Sequence, residues 1–348
     1  MIISPIPLAA IAVLLAALLD RLIGDPLRWP HPVMVMGWWI QRLRRHAEAW
    51  AGNSPGRLHL AGGTITVLVV GTSAASGWLL EQLALGRWTN GTIWAMGFAQ
   101  ALLVIGLASA LAGLSLEQAV LAVVKAVNAE DQALARQRLQ WIVGRDTADL
   151  NNADILRASA ETAAENSVDG FFAPLFWMFI GIATWSLLPA GPGPLALALA
   201  FKAASTLDSM LGYRRERLRW LGTAGARLDD LMVWIPCRIV MVTLPLVSRP
   251  WWLWLDRVQA AERDGRPDPS PNAGRAEAIF AHCAGVRLGG SNRYSDRWVE
   301  KPVLAADQPP ADAAGVVRIL RLSQRLQLLW LLFPTVLVVR QVCVITQG

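Results

Sequence analysis

Long apolar runs, broken by short and strongly charged stretches, set the pattern of this chain. Residues 6–19, 58–80, 93–116, 171–188 and 326–345 are almost continuously apolar. All but the short first run approach the roughly 20 residues that a helix needs to cross a bilayer. Two weaker runs follow the breaker at 189–194: residues 195–204, and residues 231–247 with Pro236 and Arg238 inside. Either is expected to be a tilted or broken helix lining a cavity, where non-ideal backbone is tolerated at membrane depth. Residues 117–151 place Ala and Leu at helical spacing, with Gly144 as a stop, and residues 263–274 and 305–315 are proline-rich loops. The pattern predicts an all-α, polytopic integral membrane helix bundle with cytoplasmic helical loops and about five to six spans. We expect one integral membrane domain over residues 1–348, with its motifs within 20–300 and its last span at 326–345. No internal repeat marks an inverted-repeat transporter.

Composition agrees. Of 348 residues, 54% are hydrophobic and 17% charged, where a soluble domain carries about 25% charged residues. The 17 tryptophans include Trp38, Trp39, Trp251, Trp252 and Trp254 at edges of apolar runs, the headgroup level where Trp collects. A net charge of +6 would suit nucleic acid, but the basic residues sit in short loops between apolar runs, so no nucleic-acid partner is expected. Arg42, Arg44, Arg45 and Arg57 fill one loop and Lys125, Arg136, Arg138, Arg145 and Arg157 another, whereas residues 81–91 hold one arginine. Positive-inside counting then puts Met1 outside and both basic loops in the cytoplasm. The arginines at 214–219 and throughout 249–325 belong there as well, which requires 231–247 to be re-entrant or not to cross. Cys237, Cys283 and Cys343 lie far apart and support neither a disulfide framework nor a zinc site. Residues 1–19 lack a basic start and read as a retained first helix, not a signal peptide.

Polar residues inside such a sequence are candidates for chemistry, because carboxylates are costly beside lipid. Glu161, Glu165 and Asp169 are spaced by four. On a helix the two glutamates stack on one face, and a divalent cation is the simplest offset to their repulsion. A solvated helix face is the alternative. Lys202, Thr206, Asp208 and Ser209 share a second stretch, and Arg227 precedes Asp229 and Asp230 in a third. Adjacent acids point apart on a helix, so one of that pair suits a metal and the other Arg227 or Arg238; a cap and a surface ion pair are the bland reading. Near the start, Asp25 lies in a Gly-Asp-Pro turn and His31 between prolines, and a turn histidine is the simpler reading than a ligand. No GxxxxGK[ST] or GxGxxG occurs, which removes the P-loop and the dinucleotide fingerprint. Short turns remain as phosphate-handling candidates: Arg145 and Asp146 after Gly144, Ser270 and Asn272 in a Ser-Pro-Asn turn, and Gly289-Gly290.

Taken in order, DRLIGDP with HPVMVMG, VGRDT, ETAAENSVDGFFAPLF, KAASTLDSMLGY, ARLDD with IPCR, SPNAG and RLGGSNRY resemble the CobD/CbiB family. These are the membrane-bound adenosylcobinamide-phosphate synthases of cobalamin biosynthesis. The resemblance runs from Asp20 to about Tyr294. Ser205, Asp268 and Ser295 depart from the family pattern, and its tail motif is weak at Lys301-Pro302. The resemblance implies an acid–amine ligase of the inner membrane, with its site on the cytoplasmic side. Such an enzyme joins a propionate of cobyric acid to (R)-1-amino-2-propanol or its phosphate, with ATP driving the step through an acyl phosphate. The residue chemistry then suggests roles. Glu161, Glu165, Asp208 and Asp229 or Asp230 would hold Mg²⁺. Arg145, Lys202, Arg227 and Arg238 would neutralise phosphate charge, and Asn166 or a raised carboxylate would position the amine. A transporter or corrinoid-binding scaffold is the rival reading. The form of the amine, the oligomeric state and any docking of other corrinoid-pathway enzymes stay open.

Overall fold

The computed structural model describes residues 5–24, 31–88, 92–213, 215–294 and 297–347. Asp25 lies outside the described residues. In chain order the helices are α1 (Pro5–Ile23), α2 (Pro32–Ala51), α3 (Pro55–Ala84), α4 (Ile93–Ala108), α5 (Gly113–Asn128), α6 (Gln132–Gln140) and α7 (Asn152–Ser167). They continue as α8 (Ala173–Leu187), α9 (Pro194–Leu211), α10 (Leu218–Leu221), α11 (Thr223–Val247), α12 (Trp254–Gly265), α13 (Ala273–Ala284) and α14 (Ala313–Gln347). A π-helical turn, Val168–Phe172, joins α7 to α8. The helical class is as expected, with one addition: β1 (Leu288–Tyr294) and β2 (Arg297–Leu304) form an antiparallel hairpin. Among the described residues, six stretches are long and apolar enough to cross a membrane: Pro5–Ile23, Pro55–Ala84, Ile93–Asn128, Asn152–Leu187, Thr223–Val247 and Ala313–Arg340. Exposed Val67, Ile93, Trp94 and Phe98 on α3 and α4 fit a lipid-facing surface better than a watery one.

Of the two forms expected for residues 231–247, tilted or broken, the broken one is not observed. These residues belong to a continuous helix that starts at Thr223 and contains both Pro236 and Pro245. A proline cannot donate to the carbonyl four residues before it. For Pro236 that carbonyl belongs to Met232, and it accepts the indole N–H of Trp177 at 3.1 Å instead. The run 195–204 is likewise part of a longer helix, the 18-residue α9.

The chain divides into two compact units. The first comprises residues 1–112, 173–232 and 331–348. Its tightest packing sets α3 against α9, where Gly77 leaves no room for a Cβ against the Ala196 backbone. At the end of α3 the buried Glu81 carboxylate accepts the Gly193, Leu195 and Ala196 N–H groups at 2.8, 2.6 and 3.1 Å. The unpaired donors of a helix N-terminus carry partial positive charge, so an anion there closes the start of α9. Trp78 and Arg87 donate to the Ala190 and Pro189 carbonyls of the same loop.

The second unit comprises residues 113–172 and 233–330. Its core is α7, with Ile155, Ala158, Ala160, Ala163 and Ala164 fully buried. The small side chains let α5, α13 and β1 approach closely. The Asn151 side chain caps α7 by accepting the Asp154 N–H at 2.9 Å, and α13 ends at Gly285 in a left-handed conformation, φ 65°.

Candidate functional site

In the second unit, α7 turns one polar face toward the Gly144-Arg145-Asp146 turn and the hairpin. Glu161 is 1% exposed and is met from three directions. Arg145 Nη2 lies 2.6 Å from its Oε2, Arg157 Nη1 3.2 Å from its Oε1, and the Gly289 N–H donates to Oε1 at 2.9 Å. Asn292 Oδ1 accepts from Arg145 at 2.6 Å and from Arg157 at 3.0 Å, and Arg157 also donates to the Gly289 carbonyl. The Asp146 N–H donates to the Arg293 carbonyl at 3.0 Å. Three motifs far apart in the chain thus share one buried ionic network. Gly289 makes it possible: at φ +80° a side chain is strained, and a Cβ there would collide with the Pro302 carbonyl oxygen. Beside the network a small cleft of about 110 Å³ opens between Arg145, Asp146, Arg157, Asn292 and Arg293.

A second cluster surrounds Lys301 on β2. Its ammonium lies 3.1 Å from Glu277 Oε1 and 3.7 Å from Asp268 Oδ2, and its charge acts on Glu165 as well. Three acids around one cation leave excess negative charge. Burial pushes the Glu277 carboxyl up to about 8, while the surrounding acids push the Lys301 ammonium well above its ordinary value. Glu277 therefore keeps its proton near neutrality and Lys301 stays charged.

The Ser-Pro-Asn turn uses its polar atoms internally. Ser270 Oγ accepts the Asn272 and Ala273 N–H groups at 3.3 and 3.2 Å, and Asp268 accepts the Ser270 N–H. Asn272 Oδ1 and the Pro271 carbonyl both accept from Arg238. Arg275 donates to Pro271 and holds Glu262 through two bonds of 2.7 Å. Asn166 and Asp169 are half-buried, and Asp169 stands in the π-helical turn, a feature that recurs at functional sites.

The remaining expected residues belong to the first unit. His31 caps α2, its Nδ1 accepting the Val33 N–H at 3.3 Å, in line with the turn reading. On α9, Thr206 and Ser209 donate their hydroxyls to Lys202 and Ser205 of their own helix, a common alternative to ligand contact. Asp208, also on α9, feels the charge of Asp230 on α11. Arg227 is exposed, and Asp229 and Asp230 are half-buried. Among the described residues no group of three or more His, Cys, Asp or Glu is arranged to hold a metal ion. The expectation of Glu161 as a metal ligand meets a carboxylate already held by two guanidiniums and an N–H. Sequence reasoning missed Arg157, Glu277, Asn292 and Lys301 as members of these clusters. Arg157 carried a signal, lying four residues before Glu161. Glu277 carried none.

Fold and site together define a multi-pass helical membrane protein with a buried ionic centre. The chain belongs to the CobD/CbiB family, whose model matches residues 13–323. It is 40% identical to the cobalamin biosynthesis protein CobD of Synechocystis sp. over 93% of this chain and 90% of that one. It is 39% identical to the protein of the same name from Yersinia enterocolitica, over 91% and 94%. The cobalamin biosynthesis protein CbiB of Salmonella typhi is 35% identical over 91% of each chain. No solved structure matches it.

Proposed function

We propose that this protein acts in cobalamin biosynthesis as an adenosylcobinamide-phosphate synthase. It joins a corrinoid propionate to aminopropanol or its O-phosphate at the expense of ATP, from the cytoplasmic side of the inner membrane. The observation that carries the reading is the buried network of Glu161, Arg145, Arg157 and Asn292. It ties together the Gly144-Arg145-Asp146 turn, the acidic helix and the glycine-rich hairpin, and it leaves Arg145 and Arg293 lining a small cleft. Guanidiniums held this way offer pre-set charge to phosphate oxygens, the main demand of phosphoryl transfer. The names of the relatives support the same pathway.

Magnesium suits the donor set when it arrives with nucleotide. Asp208 and Asp230, whose charges act on each other, would supply the oxygen ligands it prefers, since one or two carboxylates suffice where substrate phosphates are also present. Bound there, it would neutralise phosphate charge. In the second unit Glu161 holds the arginines in place, and Glu277, protonated near neutrality, limits the negative charge around Glu165 and Lys301. Glu165 and Asn166 are half-buried polar groups near the end of α7, suited to hydrogen-bond an incoming amine. The test is direct: purified protein receives cobyric acid, aminopropanol phosphate and Mg-ATP. Amide product with stoichiometric ADP supports the reading. Corrinoid flux into vesicles without product would replace it with the transporter reading.

A further inference from the structure

A cleft of about 750 Å³ in the first unit takes no part in the reaction above. Its walls include Arg44 and Glu48 of α2, Asn53, and Arg215, Arg217 and Trp220 of the segment leading through α10. Residues 42–57 and 215–219 together hold Arg42, Arg44, Arg45, Arg57, Arg215, Arg217 and Arg219, against only Glu48 and Glu216. Arg44 bonds Glu48 at 2.7 Å and Arg217 bonds Asn53 at 2.8 Å, each through Nε. The paired terminal nitrogens of both guanidiniums are not used by those bonds, and that fork is the part of arginine that matches a phosphate.

Three further observations place the cleft at lipid headgroup level. α3 has 30 residues, about 45 Å at 1.5 Å per residue, and the hydrocarbon core is about 30 Å thick. Its first turns, beside the cleft, therefore reach beyond the core. α2 is divided along its length, exposing Met34, Val35 and Trp38 in its first half and carrying Arg42, Arg44 and Arg45 in its second. A helix divided in that way suits a course from apolar surroundings toward the headgroups, with its arginines at the polar end. Arginines also lie over aromatic rings at the cleft's edge: Arg57 over Trp50 at 5.9 Å, Arg215 over Tyr213 at 5.1 Å and Arg219 over Trp220 at 4.8 Å. Trp50 and Tyr213 are both about half exposed, as aromatic anchors at a membrane surface are.

We propose that this cleft binds the headgroup phosphate of an anionic phospholipid, of the phosphatidylglycerol or cardiolipin kind, with the acyl chains running along the first turns of α3. A lipid fits better than a soluble phosphate because apolar side chains are exposed on the same elements that carry the basic wall, Trp50 on α2 and Leu60 in the first turns of α3. A nucleotide would leave that apolar surface uncovered, whereas acyl chains cover it.

The full chain is placed in nanodiscs of phosphatidylcholine with and without phosphatidylglycerol, and retained lipid is counted by native mass spectrometry. The wild type retains the anionic lipid preferentially. Arg44→Gln/Arg217→Gln weakens that preference about twentyfold, and Arg215→Gln alone, whose guanidinium lies over Tyr213, about fivefold, at roughly 1 kcal/mol per arginine near a charged surface. The single variant keeps the test valid if the double variant folds poorly. Equal retention of neutral and anionic lipid, or variants that match the wild type, overturns the proposal. Displacement of the retained lipid by millimolar ATP or inorganic phosphate would also overturn it, by showing a soluble-phosphate site.

Discussion

Glu161 and Asp208 are both carboxylates that the sequence places beside apolar helix, and they meet opposite surroundings. Glu161 is enclosed by two guanidiniums and a backbone N–H. The charge acting on Asp208 is that of another acid, Asp230. Removing a partner from a buried ion pair strands a charge and costs several kcal/mol, so the first arrangement maintains itself and holds the hairpin on α7. The second stores like-charge repulsion, which a cation relieves. Charge that is satisfied within the protein builds a scaffold that fixes Arg145 beside its cleft, and charge that repels its neighbour invites a cation.

The comparison breaks most readily at Glu161. Glu161→Ala leaves Arg145 and Arg157 facing each other in a buried space, and we expect a loss of about 3–5 kcal/mol. It is read as a large drop in melting temperature in detergent, with the hairpin released to proteolysis. If the melting temperature is unchanged, Glu161 is not the scaffold's anchor. Gly289→Ala attacks the same network through the backbone. A left-handed position and the Pro302 carbonyl both oppose a Cβ, at a cost of about 1–3 kcal/mol, again measured by thermal unfolding. A variant as stable as the wild type would show that the hairpin relaxes there.

Glu277 gives a smaller effect with a defined sign. Its carboxyl titrates near 8 when folded, against an ordinary 4.5. Between those values the folded protein holds a proton that the unfolded chain has released, so this group's contribution to stability is full below about 4.5 and declines as pH rises through 8. Glu277→Gln, which mimics the protonated form, flattens stability across that window. A variant with the same slope as the wild type would assign the titration elsewhere. Smallest of all, Asp208→Asn shifts unfolding by less than about 0.5 kcal/mol and in the stabilising direction, because it removes a repulsion. A marked destabilisation would place Asp208 with the scaffold.

Much of this architecture was legible in the sequence, and the reasons are specific. The apolar runs announced the helices, the 189–194 breaker separated α8 from α9, and the spacing of Glu161 and Glu165 put them on one helix face. Continuity of α11 was hidden, because its repair of Pro236 comes from Trp177, a residue 55 positions away from the Met232 carbonyl it satisfies. The hairpin was hidden as well, since Gly289 and Gly290 read as a turn while their role is to bring an N–H to Glu161. The partners of the acids were the least legible. Arg145 and Asn292 lie 147 residues apart, and no local pattern links Glu277 to Lys301.

The most direct test of the division between scaffold and chemistry is amide formation by Asp208→Asn in nanodiscs, measured with Mg-ATP, cobyric acid and aminopropanol phosphate alongside its melting temperature. The account predicts a variant as stable as the wild type whose rate falls about a hundredfold or more, the scale of losing one preorganised electrostatic contact to the transition state. Wild-type rates from a folded Asp208→Asn protein would contradict it.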